Sequence, residues 1–309
     1  MNLASLDLNL LVALDALLQQ RSVTRAAAQM GLSQPALSAS LARLRRHFDD
    51  ELLTRVGNDY RLTPLAVQLK ERARFAMSGV ERVFAAQPEF DPASSTREFS
   101  MLVSDYLVAV VGDAVARLLA REAPHSRLRF LTNTPDQVDR AAQALLSTDL
   151  MVLPHGFITD LSHRDLHRDE WVCLVSADNP AVGDELTVDH LESLPWVVTY
   201  HGPTASTPAG RQMRMLGIEP RVQVVTESFL TVPRLIAGTD RIALLQRRLV
   251  DLLPHDGLCA LRPPFDVAPL IEAMWWHPIY DTDPEHEYLR DLVARAAGIS
   301  GADDPPQKK

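Results

Sequence analysis

The sequence predicts an α/β protein in two parts: a small helical N-terminal domain, then a larger domain of alternating strands and helices. Three observations lead to this prediction. The first 60 residues carry apolar residues at helical spacing, separated by capping residues and glycine. From Glu98 onward, apolar and partly β-branched runs of strand length alternate with helical stretches. Residues 88–96, PEFDPASST, have the composition of a linker between the two parts.

Length and composition are those of an ordinary globular protein. The chain has 309 residues, of which 46% are hydrophobic and 23% charged, which excludes collagen-like repeats, long disorder and a mini-protein. No apolar run reaches the roughly 18 residues of a membrane span. The first 20 residues carry acids in an amphipathic pattern and no basic leader. We therefore expect a cytoplasmic protein with no membrane partner.

Charge is distributed unevenly between the two parts. The net charge of -9 argues, by itself, against a nucleic-acid partner. Residues 1–88, however, carry 11 Lys+Arg and 8 Asp+Glu, whereas the rest of the chain carries 20 and 32. A basic part on an acidic body is the asymmetry expected when one domain meets phosphates and the other does not.

Three short helices are predicted in the N-terminal part. The first has four leucines at helical spacing, Leu8, Leu11, Leu14 and Leu18. Ser22 is placed to cap a second helix over residues 23–30, which Gly31 ends. Ser33 is placed to cap a third helix that begins at Gln34 and has proline in its first turn. Its buried face is predicted to consist of Leu37, Leu41 and Leu44.

Residues 23–44 have the organisation of a helix-turn-helix, whose second helix projects its N-terminal end into the major groove of DNA. Gln34 is able to bond a base edge twice, Pro35 offers an apolar contact to a thymine methyl, and Ser33 and Ser38 reach bases or phosphates. Candidates for phosphate contacts are Arg43, Arg45, Arg46 and Arg55. The alternative is a three-helix bundle with a serine cap and no role on DNA.

A hairpin and a long helix follow. Residues 52–62 predict a short hairpin with Gly-Asn-Asp at its tip (57–59), which would lie as a wing beside the minor groove. A helix then begins at Thr63-Pro64 and ends near Pro88. Its apolar residues form a pairing seam, within one subunit or between two, of Leu65, Leu69, Ala73, Ala76, Val80 and Val83.

The second part contains seven runs of strand length: FSMLVSD, LRFLTN, DLMVLP, WVCLVS, WVVTY, RVQVVT and RIALL. Helices are predicted between most of them, for example over residues 108–121 and 137–146. This alternation predicts an α/β domain with a largely parallel sheet. Residues 301–309 are polar, contain proline and are expected to fray.

Nearly the whole sequence resembles the LysR-type transcriptional regulators. In the N-terminal part, RSVTRAA, LSQPALS, LARLR, LLTR and LTP match the signature of this family in order and spacing. Farther on, EFSMLVSDYLVAVV, LLAREAP, WVCLVSADNP and MWWHP resemble the effector domain of the branch that contains nodulation and aromatic-catabolism regulators. One difference follows the strand DLMV, where the family usually continues Ile-Gly and this chain has Leu153-Pro154-His155.

The resemblance implies a winged helix-turn-helix over residues 1–62 and a linker helix that pairs subunits over 63–90. It also implies a periplasmic-binding-protein-like effector domain of two α/β subdomains over 91–300 and a flexible tail over 301–309. Partners would be double-stranded operator DNA and further copies of the chain, as a homodimer or homotetramer. Ser33, Gln34, Pro35 and Ser38 match the part of the recognition helix used on DNA. On the preceding helix, the positions that often touch the DNA backbone are Thr24 and Arg25.

Candidate effector-binding residues follow the predicted strands, because ligands of α/β proteins bind at the carboxyl ends of strands. Ser104 also begins a helix, so backbone donors there are able to hold an anionic group. His155 and His201 are able to bond a phenolic or carboxylate effector, or else they satisfy backbone groups. The candidates are Ser104, Asp105, His155, His201, Thr204, Phe229 and Gln246.

Metal and enzymatic sites are not supported by the sequence. His163 and His167 are four residues apart, but no third ligand stands at a suitable spacing. No GxSxG motif accompanies Ser104 or Ser228. Cys173 lies within a strand among apolar neighbours, which is typical of packing, and the two cysteines form no CxxC motif. We therefore expect no metal, no cofactor and no enzymatic activity.

The sequence thus predicts a DNA-binding transcriptional regulator switched by a small aromatic or carboxylate effector between two subdomains. The effector would shift the population of subunit arrangements and so change the bending or occupancy of the operator. Two alternatives stay open. One is a regulator whose second part serves only assembly. The other is a small-molecule-binding or enzymatic α/β protein whose helical part pairs with another protein.

Overall fold

A computed structural model of the chain describes residues 7–56, 59–85, 90–200, 206–254 and 257–298. The chain divides into two compact units, residues 1–88 and 89–309. Within the described ranges, no helix combines the length and apolar character needed to cross a membrane.

In the described part of the first unit there are four helices and a two-stranded sheet. In chain order its elements are α1 (Leu8–Gln20), α2 (Val23–Gln29), α3 (Gln34–Phe48), β1 (Leu53–Val56), β2 (Asp59–Leu62) and α4 (Pro64–Ala85). The two strands pair antiparallel, which confirms the predicted hairpin, although residues 57–58 of its tip lie outside the described ranges.

The predicted caps of α2 and α3 are confirmed. The Ser22 hydroxyl accepts a hydrogen bond from the backbone of Arg25, and the Ser33 hydroxyl accepts one from Ala36. Gly31 follows α2 with φ +64°, in the left-handed region that glycine enters without a Cβ penalty. These local signals set the tight turn between the two helices.

One apolar core holds the first unit together. All three leucines predicted on α3 are buried in it: Leu37, Leu41 and Leu44. On α1, Leu14 and Leu18 are buried as predicted, but Leu8 is exposed and Leu17 takes part in the core. Ala26 of α2 is also buried there, and its small side chain lets the helices approach closely.

The described residues of the second unit form ten strands in two five-stranded sheets. In chain order they are β3 (Glu98–Val103), β4 (Arg127–Thr132), β5 (Leu150–Pro154), β6 (Ser162–Asp169), β7 (Trp171–Ser176), β8 (Pro195–Thr199), β9 (Arg221–Thr226), β10 (Ile242–Gln246), β11 (Leu258–Leu261) and β12 (Leu270–Trp276). The first sheet has the order β4-β3-β5-β12-β6, and the second has the order β11-β7-β10-β8-β9. The chain passes between the sheets from β6 to β7 and again from β11 to β12.

Helices connect most of these strands. They are α5 (Asp105–Leu107), α6 (Asp113–Glu122), α7 (Pro135–Asp139), α8 (Ala141–Ala144), α9 (Val188–Ser193), α10 (Pro208–Met215), α11 (Val232–Ile236), α12 (Arg247–Leu252) and α13 (Pro284–Ala296). A π-helical segment, Val108–Gly112, joins α5 to α6, so the helix predicted over 108–121 begins three residues earlier. The helix predicted over 137–146 is interrupted at Arg140.

Both sheets are mixed, so the prediction of a largely parallel sheet was wrong. In each sheet two neighbouring pairs of strands are parallel and two are antiparallel. Three of the four antiparallel pairs involve β6, β11 or β12, which were not predicted. The sequence of β6, SHRDLHRD, is polar because this strand lies at a sheet edge and exposes several side chains.

Successive side chains of the central strands enter two different cores. Met101 and Val103 of β3 pack in the core that includes α6 and α13, whereas Leu102 packs in the core that includes Ala141 of α8. A sheet covered on both faces explains why the predicted strands are continuous apolar runs rather than alternating ones. With both faces covered, polar residues such as Ser104 and Asn133 lie instead directly after the carboxyl ends of the strands.

Candidate functional site

The first unit exposes the turn between α2 and α3 and the N-terminal turns of α3. The exposed side chains here include six that the sequence singled out: Thr24, Arg25, Ser33, Gln34, Pro35 and Ser38. Leu37 faces the other way and is fully buried. Because the core fixes α3 through Leu37, its neighbours are held at the surface on a rigid element. The result is a projecting helix end that carries an amide, an apolar ring and hydroxyl groups.

Two of the predicted cationic residues are engaged within the unit. The guanidinium of Arg45 donates to the backbone oxygen of Glu51 at 2.8 Å and to that of Leu53 at 3.1 Å. Arg45 thereby joins the end of α3 to the start of β1. Arg25 donates to the backbone oxygen of Gln20 at the end of α1, at 2.8 Å. Both side chains therefore stabilise the arrangement of the elements.

Other arginines present their charge at the surface. Arg43 lies 3.1 Å from a carboxylate oxygen of Asp7 in an exposed ion pair, and such pairs contribute little to stability. Arg46 is exposed and donates within its own helix to the backbone oxygen of Ala42. Arg55 is exposed on β1. Arg43 and Arg46 lie on the same helix as Gln34, so charge and the exposed helix end occur together.

The second unit contains a cavity of about 90 Å³ lined by residues from both sheets. Ser104 follows β3 and Asn133 follows β4, while Trp171 begins β7 and Gln246 ends β10. Most of the remaining wall is apolar and includes Val138, Val152, Leu153, Phe157, Phe229 and Leu270. A mainly apolar cavity with a few convergent polar groups is typical of a small-molecule site.

Four residues of the cavity wall carry a buried polar atom that has no hydrogen-bond partner in the described part of the chain. They are Asn133 (Oδ1), Trp171 (Nε1), Ser206 (Oγ) and Gln246 (Oε1). An unmade hydrogen bond in the interior costs about 1–3 kcal/mol. Residues of one cavity wall therefore carry three buried oxygens that are able to accept hydrogen bonds and one indole N–H that is able to donate.

The acidic residue of the cavity wall is Glu272, in the middle of β12. Its side chain is almost completely buried. Burial, together with the nearby charge of Asp169, raises the pKa of Glu272 to about 8. The carboxyl group therefore keeps its proton at neutral pH and is able to donate a hydrogen bond. No Lys, Arg or His occurs among the described residues of this wall.

A buried polar cluster lies beside Glu272, where the chain passes between the sheets. The Tyr106 hydroxyl donates to Asp169 at 2.6 Å and lies 2.9 Å from Nε2 of His167. Asp169 also accepts from the backbone N–H of Arg248 at 3.2 Å. Burial, with the charge of Arg248, lowers the pKa of His167 to about 4, so this imidazole is neutral. Burial and the bond to Asp169 raise the pKa of Tyr106.

The structure brings three of the predicted effector residues to the cavity: Ser104, Phe229 and Gln246. Asp105 is not a wall residue and instead bonds the segment of residues 228–230 beside the cavity. Its carboxylate accepts from the Ser228 hydroxyl at 2.7 Å and from the backbone N–H groups of Phe229 and Leu230, each at 3.1 Å. Asp105 thus joins the helix after β3 to the loop after β9.

The remaining predicted effector residues are placed differently. Nε2 of His155 lies 2.6 Å from a carboxylate oxygen of Asp165, and His155 is not among the residues of the cavity wall. His201 and Thr204 fall in residues 201–205, outside the described ranges.

Sequence reasoning missed several polar residues of the wall, among them Asn133, Trp171, Tyr200 and Glu272. Asn133 and Tyr200 stand at the ends of predicted strands, so the rule that found Ser104 also applies to them. Glu272 was available as an acid within the apolar run LIEAMWW, which was not predicted as a strand. Trp171 lies at the start of a strand, so the rule that ligand-binding residues follow strand ends did not select it.

Two family matches cover most of the chain. Residues 8–67 match the family described as "Bacterial regulatory helix-turn-helix protein, lysR family". Residues 96–298 match the "LysR substrate binding domain". The first match includes α2, α3 and the hairpin, and the second includes the ten strands of both larger sheets.

Similar proteins are found both by sequence and by structure. Nodulation protein D 3 of Mesorhizobium japonicum is 34% identical over 303 residues, covering 96% of this chain and 99% of that protein. Nodulation protein D 3 of Rhizobium leguminosarum bv. phaseoli is 33% identical over 302 residues, covering 96% and 99%. The probable transcriptional regulator PA0477 from Pseudomonas aeruginosa superposes with a TM-score of 0.72 at 26% identity, covering 94% and 97%.

The fold also matches the full-length regulator CbnR, solved in complex with its target DNA. The TM-score is 0.65, the identity is 15%, and the match covers 94% of this chain and 100% of that chain.

Replacing Arg45 by alanine is expected to destabilise the first unit by about 1–3 kcal/mol, because two backbone carbonyls lose a charged donor. Arg46→Ala is the matched control, since this side chain bonds only within its own helix in the contacts described, and it should change stability by no more than about 0.5 kcal/mol. Differential scanning calorimetry of the full chain measures both. Equal transition temperatures for the two variants would contradict the assigned role of Arg45.

Replacing Glu272 by glutamine should stabilise the chain increasingly as the pH rises. The pKa of Glu272 in the folded chain is about 8, above the ordinary glutamate value of 4.5. Between these values the unfolded state loses the proton and the folded state keeps it, so wild-type stability falls with rising pH. The variant lacks this dependence and should gain roughly 1–4 kcal/mol relative to wild type by pH 8.

Urea denaturation at pH 5, 6.5 and 8 measures this difference. Glu122→Gln is the control of opposite sign, because the hydrogen bond from Arg295 lowers the pKa of Glu122. That variant should lack the stability that the wild-type ion pair contributes, which is fully present above the unfolded pKa of 4.5, so its deficit should be the same at all three pH values. A stability difference between Glu272→Gln and wild type that is constant with pH would refute the protonated state of Glu272.

Proposed function

Because the chain belongs to the LysR family and is a transcriptional regulator rather than an enzyme, we propose how it reads DNA and what it senses. The N-terminal end of α3 reads operator DNA in the major groove. A neutral, hydroxylated aromatic effector occupies the cavity of the second unit. The observation that carries the DNA part is the exposed end of α3. The observation that carries the effector part is the buried Glu272 in a wall without a described cation.

The surface of α3 fits base readout because its exposed groups match the chemistry of base edges. The Gln34 amide carries both a donor and an acceptor and is able to bond the N6 and N7 positions of adenine. Pro35 follows Gln34 directly and Ser38 lies one turn further along α3, one apolar and one polar, and all three are exposed. A helix fixed by Leu37 holds these groups without further ordering on binding.

Phosphate contacts complete this proposal. Arg43 and Arg46 extend from the same helix into solvent, and Thr24 is exposed at the start of α2. Side chains of this kind position a protein on the DNA backbone and produce most of the salt dependence. Arg25 and Arg45 would act mainly by holding α1, α3 and β1 in place, since their donors already bond backbone oxygens.

The chemistry of the cavity favours a neutral effector over a carboxylate. A carboxylate beside Glu272 would bring a charge into an apolar space that offers no described cation to balance it. Hydroxyl groups are able to donate to the free oxygens of Asn133 and Gln246, and a ring oxygen or hydroxyl is able to accept from Trp171. Aromatic carbon fits the apolar remainder of the wall, including Phe229.

Effector binding would act on the link between the two sheets. The cavity wall takes residues from both sheets, and Asp105 ties their loops together beside it. A ligand that binds one arrangement of the sheets more tightly shifts the population toward it. We propose that this shift reaches the DNA through a homodimer or homotetramer paired by the helix of residues 63–90. This assigns DNA binding to residues 1–62 and effector binding to residues 91–300.

Substituting Gln34→Ala should relax base preference without abolishing DNA binding. The amide is expected to contribute about 1–3 kcal/mol of discrimination at one base pair, so specific affinity should fall roughly 5- to 150-fold. Binding to unrelated DNA should stay unchanged. Gel-shift titrations over a range of salt concentrations, on the DNA upstream of the gene for this chain and on a scrambled duplex, measure both quantities.

Arg46→Ala is the companion variant in the same titrations. It should weaken binding to both duplexes alike and reduce the slope of log affinity against log salt by about one. Specific affinity unchanged by Gln34→Ala would assign base readout to another surface. An absence of sequence-specific binding at every salt concentration would refute the DNA proposal.

The neutral effector is tested with a matched pair of single-ring probes, 4-hydroxyacetophenone and 4-hydroxybenzoate. The neutral ketone should raise the melting temperature of the chain as its concentration rises. The carboxylate should need at least a tenfold higher concentration to produce the same rise. Thermal-shift titrations measure both. Gln246→Ala should reduce the response to the ketone, because it removes an acceptor from the wall.

A stronger response to 4-hydroxybenzoate would contradict the neutral class. A response to neither probe would exclude single-ring effectors of this type.

A further inference from the structure

We propose that His155, His163 and Asp165 form a binding site for a divalent transition-metal ion, for which Zn²⁺ is the fitting probe. Each of the three residues offers one ligand atom, and these atoms all lie within 4.8 Å of one another. The sequence offered only His163 with His167, which lacks a third ligand. This inference is independent of the proposed effector and of DNA binding.

Neighbouring strands of the first larger sheet bring the three residues together. His155 directly follows β5, while His163 and Asp165 are two residues apart on β6 and so share one face. β12 lies between β5 and β6, and Ala273 pairs with Asp165 there. The small side chain of Ala273 leaves room above β12. His155 is thereby able to reach Asp165, with 2.6 Å between Nε2 and Oδ1.

An irregularity in the same pairing removes His167 from this face. Asp165 pairs with Ala273 and His167 pairs with Glu272, so the register shifts by one residue at this point. Side chains beyond the shift change face relative to those before it. His167 accordingly lies next to Tyr106 in the buried cluster, away from His163.

Trp275 holds the two candidate imidazoles in position. Its ring lies 4.6 Å from that of His163 and 5.4 Å from that of His155, centroid to centroid, and the two imidazoles are 5.2 Å apart. Trp275 is itself buried and donates its indole N–H to the backbone oxygen of Leu153 at 2.9 Å. Fixed aromatic packing therefore reduces the conformational freedom that the imidazoles lose on binding a metal.

The tautomer of His163 also suits a ligand. Its Nδ1 lies 3.4 Å from the backbone oxygen of Leu161. A carbonyl oxygen only accepts, so this contact places a hydrogen on Nδ1 and leaves the lone pair of the neutral ring on Nε2. A second-sphere bond of this kind orients metal-binding histidines in general. In the metal-free site, Nε2 of His155 carries a hydrogen that points at Asp165. When the metal replaces this hydrogen and binds Nε2, the neutral ring carries its hydrogen on Nδ1 instead.

The donor set selects the class of metal. Two imidazole nitrogens and one carboxylate suit Zn²⁺ and its transition-metal neighbours, whereas Ca²⁺ and Mg²⁺ require oxygen ligands. Bonds of 2.0–2.2 Å to a tetrahedral ion put ligand atoms roughly 3.3 Å apart. The three atoms, all within 4.8 Å of one another, would move toward this spacing when they bind the ion. The side chains of His155 and Asp165 are 40% and 56% exposed, so an ion reaches them from solvent.

A metal at this site would brace one wall of the cavity. The loop that begins at His155 contains Phe157, which lines the cavity, and Gly156, whose backbone oxygen accepts from Arg211 of α10 at 3.2 Å. The Arg211 guanidinium also lies over the Phe157 ring at 4.1 Å. Bonding His155 to β6 through a metal would therefore fix a loop that contacts both sheets.

The test uses the full-length chain without an affinity tag, stripped with a chelator and titrated with ZnCl₂ against a colorimetric zinc indicator. Wild type should bind Zn²⁺ and show a raised melting temperature on binding. His163→Ala and Asp165→Asn should each weaken this binding at least tenfold. Asp165→Asn keeps an oxygen acceptor for His155, so the metal-free melting temperature should stay close to that of wild type.

His125→Ala is the matched control, because His125 is an exposed histidine of the same unit, on the loop between α6 and β4. It should bind Zn²⁺ as wild type does. MgCl₂ at the same concentrations should change neither reading. Zn²⁺ binding that survives both His163→Ala and Asp165→Asn would place the ion elsewhere and overturn the proposal, as would the absence of Zn²⁺ binding to wild type.

Discussion

The second unit depends on the polar cluster at the point where the chain passes from one sheet to the other. Asp169 ends β6 and, after one intervening residue, Trp171 begins β7. The Asp169 carboxylate accepts from Tyr106 and from the first turn of α12, so a single buried acid joins the helix after β3 to an element of the second sheet. A buried carboxylate is tolerated only when such bonds are made. Its bonds therefore fix where the two sheets meet.

The same carboxylate determines the character of the cavity. Burial is the main cause of the raised pKa of Glu272, and the nearby carboxylate of Asp169 adds to it. Asp169 thus has a structural role through its hydrogen bonds, while Glu272 keeps its proton and belongs to the cavity wall. This separation of roles gives the wall a hydrogen-bond donor without a net charge. It is the physical reason for expecting a neutral effector in a chain whose sequence alone also allowed a carboxylate.

In the first unit, arginines divide between holding the fold and facing solvent. Arg45 and Arg25 direct their donors to backbone oxygens at the ends of neighbouring elements. Arg43 and Arg46 keep their charge at the surface of α3. Sequence patterns do not separate these classes, since every one of these residues is a basic side chain near the helix-turn-helix. The difference is set by the position of each guanidinium relative to free carbonyls at helix ends.

The sequence by itself determined the local architecture: the serine caps of α2 and α3, the glycine turn between them, the hairpin, and seven strands. Capping and turn formation depend on residues within four positions of each other, so a short stretch of sequence is enough to predict them. The family also followed from short motifs in fixed order. The matches over residues 8–67 and 96–298 confirm that reading.

Only the tertiary structure decided which polar residues face the cavity and which bond elsewhere. Asp105 and Ser104 are neighbours in sequence, yet one bonds the loop after β9 and the other lines the cavity. Strand direction, the register shift in β6 and the meeting of Glu272 with Asp169 arise from contacts between residues about 100 positions apart in the chain. Such pairings depend on the packing of the two sheets as a whole, and no local pattern of residues contains that information.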